Sequence, residues 1–175
     1  NYYPHIDLFS GEVFSSDIGF ECVEKIIEYM NPYQRLVIAT NMSFIFDDDK
    51  IKRVEQLKNK AETKMCNLIL SASVDGKFME ENRPLRNGKK RDDIYYDKLF
   101  RFCKKHGIGF HPMVCNSNIN KWKDNFLWFI NMLEKHEMDR YFLYLLEVRN
   151  NDWNIEQTKE YVRFIEFLFD WVWKD

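Results

Sequence analysis

The sequence predicts an α/β fold: a partial, open barrel of parallel strands with helices outside, about five βα units in a single domain. Three observations predict it. Short apolar runs alternate with stretches of helical period along the whole chain, the order that builds βα units. The runs are apolar on both faces, which suits parallel strands covered by helices. Five units are too few to close an eight-stranded barrel, so the barrel is open or part of a larger one.

The elements follow in order. Ile6-Asp7-Leu8-Phe9 is a short strand ended by Ser10-Gly11. Residues 17–30 carry apolar side chains at 18, 23, 26, 27 and 30, a helical stripe that places Cys22 in the core. Asn31-Pro32 stops that helix, because proline cannot continue the ladder and the residue before it avoids helical backbone. Leu36-Val37-Ile38-Ala39 is the second strand. Asp47-Asp48-Asp49 opens the next helix, with Ile51, Val54 and Leu57 on one face; three carboxylates there complement the positive end of a helix rather than hold a metal. Asn67-Leu68-Ile69-Leu70 is the third strand, followed by a polar loop over 75–91. Ile94, Tyr95, Leu99, Phe102 and His106 stripe a third helix, which Gly107 ends. Residues 108–114 predict a fourth strand. Asn120 is placed to cap a helix with the face Trp122, Phe126, Phe129, Ile130 and Leu133. Residues 141–148 predict a fifth strand, apolar on both faces except Glu147. Asn154 caps the last helix, with Gln157 at the capping-box position. Gly11, Thr40, Ser73, Cys115 and Arg149 then fall near the C-terminal ends of the strands, the edge that carries the site in such folds.

Composition excludes several functions. The 175 residues are 45% hydrophobic and 31% charged, enough for a real core. A net charge of −2 gives no global electrostatic case for nucleic acid or an anionic membrane. The one basic stretch, Arg86-Asn87-Gly88-Lys89-Lys90-Arg91, lacks aromatic interleaving and reads as a solvated loop. No apolar run approaches a membrane span. The four cysteines, at 22, 66, 103 and 115, form no cluster with metal-ligand spacing and predict reduced, cytoplasmic thiols. Asn41-Met42-Ser43 is a glycosylation acceptor only in a secreted chain. His5, His106, His111 and His136 lack ligand spacing; His111 reads as a structural histidine. The chain opens Asn1-Tyr2-Tyr3-Pro4-His5, with no initiator Met, and is expected to be a piece of a longer protein.

The last helix supports that expectation. Ile155, Val162, Ile165, Leu168 and Val172 form one face, and Tyr161, Phe164, Phe167, Trp171 and Trp173 cover much of the rest. A helix apolar nearly all round is buried nearly all round. One face covers the sheet; the other is expected to meet the rest of a parent chain or a partner.

Phe9-Ser10-Gly11-Glu12-Val13 puts a glycine and a carboxylate after the first strand. Glycine lets backbone approach a ligand closely, and a carboxylate there accepts from an ammonium group. Ser71-Ala72-Ser73-Val74-Asp75-Gly76 ends the third strand with small hydroxyls suited to a ribose or a carboxylate. Arg83 follows ten residues after Ser73, and its planar fork suits a carboxylate. In this order and spacing, the chain resembles the radical S-adenosylmethionine (SAM) family, above all its peptide-modifying branch. The resemblance runs through nearly all of the chain. The family's Gly-Gly-Glu-Pro stands here as Ser10-Gly11-Glu12-Val13, its Thr-Asn strand end as Thr40-Asn41, and its Ser-x-Asp-Gly with a following Arg as Ser73-Val74-Asp75-Gly76 and Arg83. Met113-Val114-Cys115-Asn116 and Leu146-Glu147-Val148-Arg149 resemble its later strand ends.

The resemblance implies that Ser10, Gly11 and Glu12 hold the SAM ammonium, beside the Asn41 strand end. It implies that Ser73 touches the ribose or carboxylate and Arg83 the carboxylate, with Met113 and Val114 near the adenine and Tyr144 or Glu147 lining the barrel. It implies a [4Fe-4S] cluster that cleaves SAM reductively, hydrogen abstraction from a peptide or protein, and a cofactor that supplies the difficult chemistry. The departures are the absent C-x3-C-x2-C cluster loop and the first strand before it, with Ser10 and Val13 in place of glycine and proline. The cluster ligands are therefore expected upstream, and this chain alone is expected to be inactive. Two other readings stay open: a clusterless barrel that serves as a binding module through its aromatic last helix, and an unrelated phosphate-binding βα barrel.

Overall fold

A computed structural model describes residues 5–8, 11–85, 88–145 and 152–174. Ser10, Arg86, Leu146, Glu147, Val148 and Arg149 lie outside the described residues. The chain divides into two compact units, residues 1–73 with 92–109, and residues 74–91 with 110–175.

The first unit is built on a parallel sheet. β1 (His5–Leu8), β2 (Arg35–Thr40) and β3 (Asn67–Ala72) stand in that order. Ile6 pairs with Leu36 and Leu36 with Leu68; Leu8 pairs with Ile38 and Ile38 with Leu70. The register is unbroken, so the three C-terminal ends come out at one edge. Along β2 and β3, Leu36, Ile38, Leu68 and Leu70 are buried, while Val37, Ala39, Ile69 and Ser71 between them are half-buried. This is the period-two signature of a sheet with one face sealed.

Three helices belong to this unit: α1 (Asp17–Tyr29), α2 (Asp48–Thr63) and α3 (Asp93–His106). A sequential strand order with right-handed crossovers lays successive helices along one side of the sheet. The ion pairs agree. α2 reaches α1 through Arg53–Asp17 and through Lys60 to Glu24 and Glu28 at 2.8 and 2.9 Å, and reaches α3 through Asp48–Lys98 and Glu55–Lys105 at 2.9 and 2.7 Å. Phe44 packs edge to face with Phe14 and Phe102, and Phe14 meets Phe20 at a tilt, with centroids 5.2–5.4 Å apart. The caps are those the sequence predicts at two ends: Asp47 Oδ1 accepts from Asp49 N and Lys50 N, and Gly107 takes the left-handed conformation at φ 62°.

The second unit holds α4 (Trp122–Lys135) and α5 (Ile155–Lys174) and little regular strand. Over the expected fourth and fifth strands the described residues form isolated bridges rather than a ladder: Phe110 pairs with Leu143 in parallel, and Met113 is a further bridge residue. Phe110 N donates to Phe142 O at 2.7 Å and Tyr144 N to Phe110 O at 2.9 Å. Pro112 has no N–H to give a ladder, so pairing is interrupted there, and Met113 beyond it is a bridge residue again. A three-stranded parallel sheet with its helices is consistent with the expected partial βα fold; closure into a barrel is not seen among the described residues.

Other expectations are corrected as well. Cys22 is exposed on α1, as are Ile18 and Ile94 on their helices. Asn120 lies inside a short 3-10 turn (Asn116–Lys121) and Lys121 stands at the start of α4, so Asn120 does not cap it. α5 packs with its aromatic side: Phe164 meets Trp122, and Phe126 meets Phe167 and Trp171, at 5.7, 6.0 and 5.1 Å. On its aliphatic side Ile155, Val162 and Val172 are exposed and Ile165 and Leu168 half-buried. Asn154 and Gln157 form the expected capping box, with reciprocal bonds of 3.0 and 2.9 Å. Among the described residues, no helix is long and apolar enough to cross a membrane.

Candidate functional site

The C-terminal edge of the sheet is organised by Glu12. Thr40 Oγ1 donates to Glu12 Oε1 at 2.8 Å, Asn41 N donates to Oε2 at 2.6 Å, and Phe14 N donates to Oε1 at 3.3 Å. The loop after β1 is thereby tied to the end of β2. A carboxylate taking backbone N–H bonds gives charge-assisted contacts, stronger than neutral ones. Gly11, at φ 73°, supplies the left-handed turn that brings Glu12 there. Thr40 is buried, and its hydroxyl also accepts from Met42 N at 3.0 Å. Met42 is itself left-handed at φ 60°, and its carbonyl accepts from Tyr95 Oη at 3.2 Å. Asn41 Oδ1 accepts from Ser43 N at 2.9 Å. Ser73 N donates to Thr40 O at 2.8 Å, which carries the β2–β3 ladder one residue further. Gly11, Glu12, Asn41 and Ser73 therefore stand on one sheet edge; Ser10 lies outside the described residues.

The second unit gathers a different set around Asp75. Its side chain is 1% exposed. Oδ1 accepts from Met113 N at 2.8 Å, and Oδ2 faces Arg83 Nε at 3.1 Å. Burial raises the Asp75 pKa above the usual carboxylate value, against the opposing pull of Arg83 and of the Met113 amide. The Asp75 carbonyl accepts from Asn125 Nδ2 at 2.7 Å, and Asn125 Oδ1 accepts from Phe78 N at 3.3 Å. Gly76, at φ 103°, lets α4 approach this turn: a Cβ there would lie 2.7 Å from Phe129 Cε2 and overlap the Asn125 amide. Arg91, buried, donates through Nη1 to Arg83 O at 3.3 Å, so the end of the basic stretch is not a solvated loop. Val114 is buried and Met113 and Cys115 are half-buried. The Cys115 thiol is pushed up by burial and then by Asp75.

Sequence reasoning missed Thr40 as the partner of Glu12, Asp75 as a hub, and Asn125. A faint signal existed for the last: Asn125 is a polar residue among Trp122, Phe126 and Phe129 on the apolar face of α4. The cysteines stand on four separate elements, with Cys66 and Cys103 buried. Among the described residues, no three His, Cys, Asp or Glu side chains are grouped to hold a metal ion. These residues do not fit a [4Fe-4S] cluster, which takes three or four thiolates. The shallow depression of about 150 Å³ between α1 and α2, lined by Phe20, Arg53 and Leu57, contains none of the expected site residues.

No family model and no curated protein matches the chain. Among solved structures, it is similar to native anSMEcpe with bound AdoMet and Cp18Cys peptide, at 14% identity and a TM-score of 0.49. That similarity covers 98% of this chain and 61% of that one, so the chain spans about three-fifths of its length. A likeness at that score decides neither fold nor function.

Proposed function

We propose that the chain is the SAM-binding core of a radical SAM enzyme whose substrate is a peptide or protein side chain. The observation that carries this reading is the register of the sheet. Three parallel strands deliver Gly11-Glu12, Thr40-Asn41 and Ser73 to one C-terminal edge, and these are the segments that carry the sequence resemblance. Ligands of open parallel sheets sit outside that edge.

In this reading Glu12 accepts the SAM ammonium, with Ser10 and Gly11 beside it, and Asn41 and Ser73 offer polar groups to the ribose or carboxylate. Glu12 suits the role because Thr40 and Asn41 hold its carboxylate in place before any ligand arrives, which lowers the ordering cost of binding. Arg83 is assigned the SAM carboxylate, and Met113 and Val114 the adenine. Arg83 faces Asp75, so its guanidinium serves the ligand only by sharing or leaving that partner. SAM supplies the radical chemistry in this family. A cluster would need thiolates other than the four in this chain.

Calorimetric titration of SAM into the protein tests the reading. Millimolar or tighter binding, weakened about tenfold or more by Glu12→Gln, is the expected result. Binding that ignores Glu12→Gln removes the assignment of that residue, and no heat of binding at all removes the reading.

A further inference from the structure

The open side of α5 carries a pattern of its own. Ile155, Val162 and Phe169 recur every seventh residue and are 69%, 49% and 62% exposed. Thr158, Ile165 and Val172 interleave with them at the same period, Val172 exposed and Ile165 half-buried. This is the a/d seam of a two-stranded coiled coil, and it lies away from Phe164, the buried residue by which α5 packs on Trp122. At about 1.5 Å per residue the seam is some 25 Å long between Ile155 and Val172.

We infer that α5 pairs with α5 of a second copy of this chain, antiparallel, in a two-fold dimer. The seam reads the same in both directions. In one antiparallel register Ile155 meets Val172 of the copy, Thr158 meets Phe169 and Val162 meets Ile165, each contact occurring twice, as an isologous interface requires. The charges beside the seam select this direction. Lys159 and Glu166 occupy the same flanking position in successive heptads. Antiparallel pairing sets Lys159 against Glu166 of the copy, and Glu166 against its Lys159. A parallel pair would set Lys159 against Asn154 and Glu166 against Tyr161 of the copy instead, with no opposite charge to meet. Lys159 also holds Glu156 within its own helix at 2.8 Å, with both side chains exposed, a pair too weak to compete strongly with a new partner. Antiparallel packing also opposes the two helix dipoles favourably.

Sedimentation equilibrium of the whole chain tests this. The expected result is a reversible monomer–dimer equilibrium that Val162→Glu abolishes, with the helical circular dichroism of the monomer retained. Lys159→Glu and Glu166→Lys should each weaken the dimer about tenfold, and the double variant should restore it. In a Cys22→Ser background, Ile155→Cys with Val172→Cys should oxidise to a covalent dimer, whereas Ile155→Cys alone should not. A chain that stays monomeric at all concentrations leaves this face to another kind of partner and overturns the proposal. So does a double charge reversal that fails to rescue, or a covalent dimer through Ile155→Cys alone, which would mark a parallel pair.

Discussion

The two units solve one problem in two ways. In the first, backbone groups are satisfied by a parallel ladder, and among the described residues Thr40 is the buried polar side chain. In the second, polar side chains do what a ladder would have done. Asp75 takes the Met113 amide, and Asn125 takes the Phe78 amide while giving to the Asp75 carbonyl. The buried polar residues of that unit are accordingly Asp75, Arg91, Asn118 and Asn125. The arrangement leaves residues of strain: Asn82 Nδ2, Asn118 Oδ1 and Trp122 Nε1 are buried without a hydrogen-bond partner among the described residues. A ladder is built from repeating local geometry and tolerates side-chain change. A side-chain substitute depends on single atoms, and so breaks at single positions.

The largest effect should come from filling the space that the second unit keeps empty. Gly76→Ala adds a methyl group against Phe129 and Asn125 at a φ of 103°. Backbone strain and overpacking together should cost about 3 kcal/mol or more. The matched change in the first unit, Gly107→Ala, meets no atom within 4 Å and bears only the left-handed φ of 62°, at about 1 kcal/mol. Urea denaturation of the two variants measures the contrast; equal losses would dissolve it.

Next is the loss of one side-chain substitute. Asn125→Ala strands the Phe78 amide and the Asp75 carbonyl together, and should cost about 2 kcal/mol or more. Glu12→Ala, in the first unit, frees Thr40, Asn41 and Phe14 at a partly exposed edge where water replaces the carboxylate, and should cost about 1 kcal/mol. Thermal unfolding of both variants checks the order. A larger loss for Glu12→Ala would show that the sheet edge is the more tightly specified region.

This division also accounts for what could be read in advance. β1, β2 and β3 are legible because a parallel strand announces itself locally, in runs such as Leu36-Val37-Ile38 and Leu68-Ile69-Leu70. The capping box of Asn154 and Gln157 and the stop at Gly107 are legible for the same reason. The apolar runs at 108–114 and 141–148 look equally strand-like, yet among the described residues they meet only at Phe110 and Leu143. That the run at 108–114 pairs through isolated bridges at Phe110 and Met113, on either side of Pro112, was not visible. Gly11, Glu12, Asn41 and Ser73 could be placed at strand ends because register follows from the strands. The hydrogen bond from Thr40 to Glu12 could not, since twenty-eight positions separate them, and neither could the link of Asn125 to Asp75. Cys22 was misread because an amphipathic stripe fixes a face only to within a neighbouring position.

The smallest effect gives the contrast its sign. Asp75, in the second unit, has its pKa raised by burial above 3.8. His106, in the first, is lowered from 6.5, first by burial and then by Lys58 and Lys105, against the pull of Glu55 at 3.2 Å. A carboxyl with a raised folded pKa favours the folded state when protonated. Its contribution is fully present below about 3.8 and is lost as pH rises through the higher folded value. A histidine with a lowered folded pKa favours the folded state when neutral. Its contribution is present above 6.5 and is lost as pH falls through the lower folded value. The stability of the parent chain minus that of Asp75→Asn should therefore rise as pH is lowered from neutral toward 4. Asparagine keeps an Oδ1 for the Met113 amide, so the difference reports the charge and not the missing bond. The parent chain minus His106→Gln should fall as pH drops below 6.5. Urea titration across that range reads the sign of each change. Curves of the same sign would mean that the pull of Arg83, 3.1 Å away, outweighs burial at Asp75.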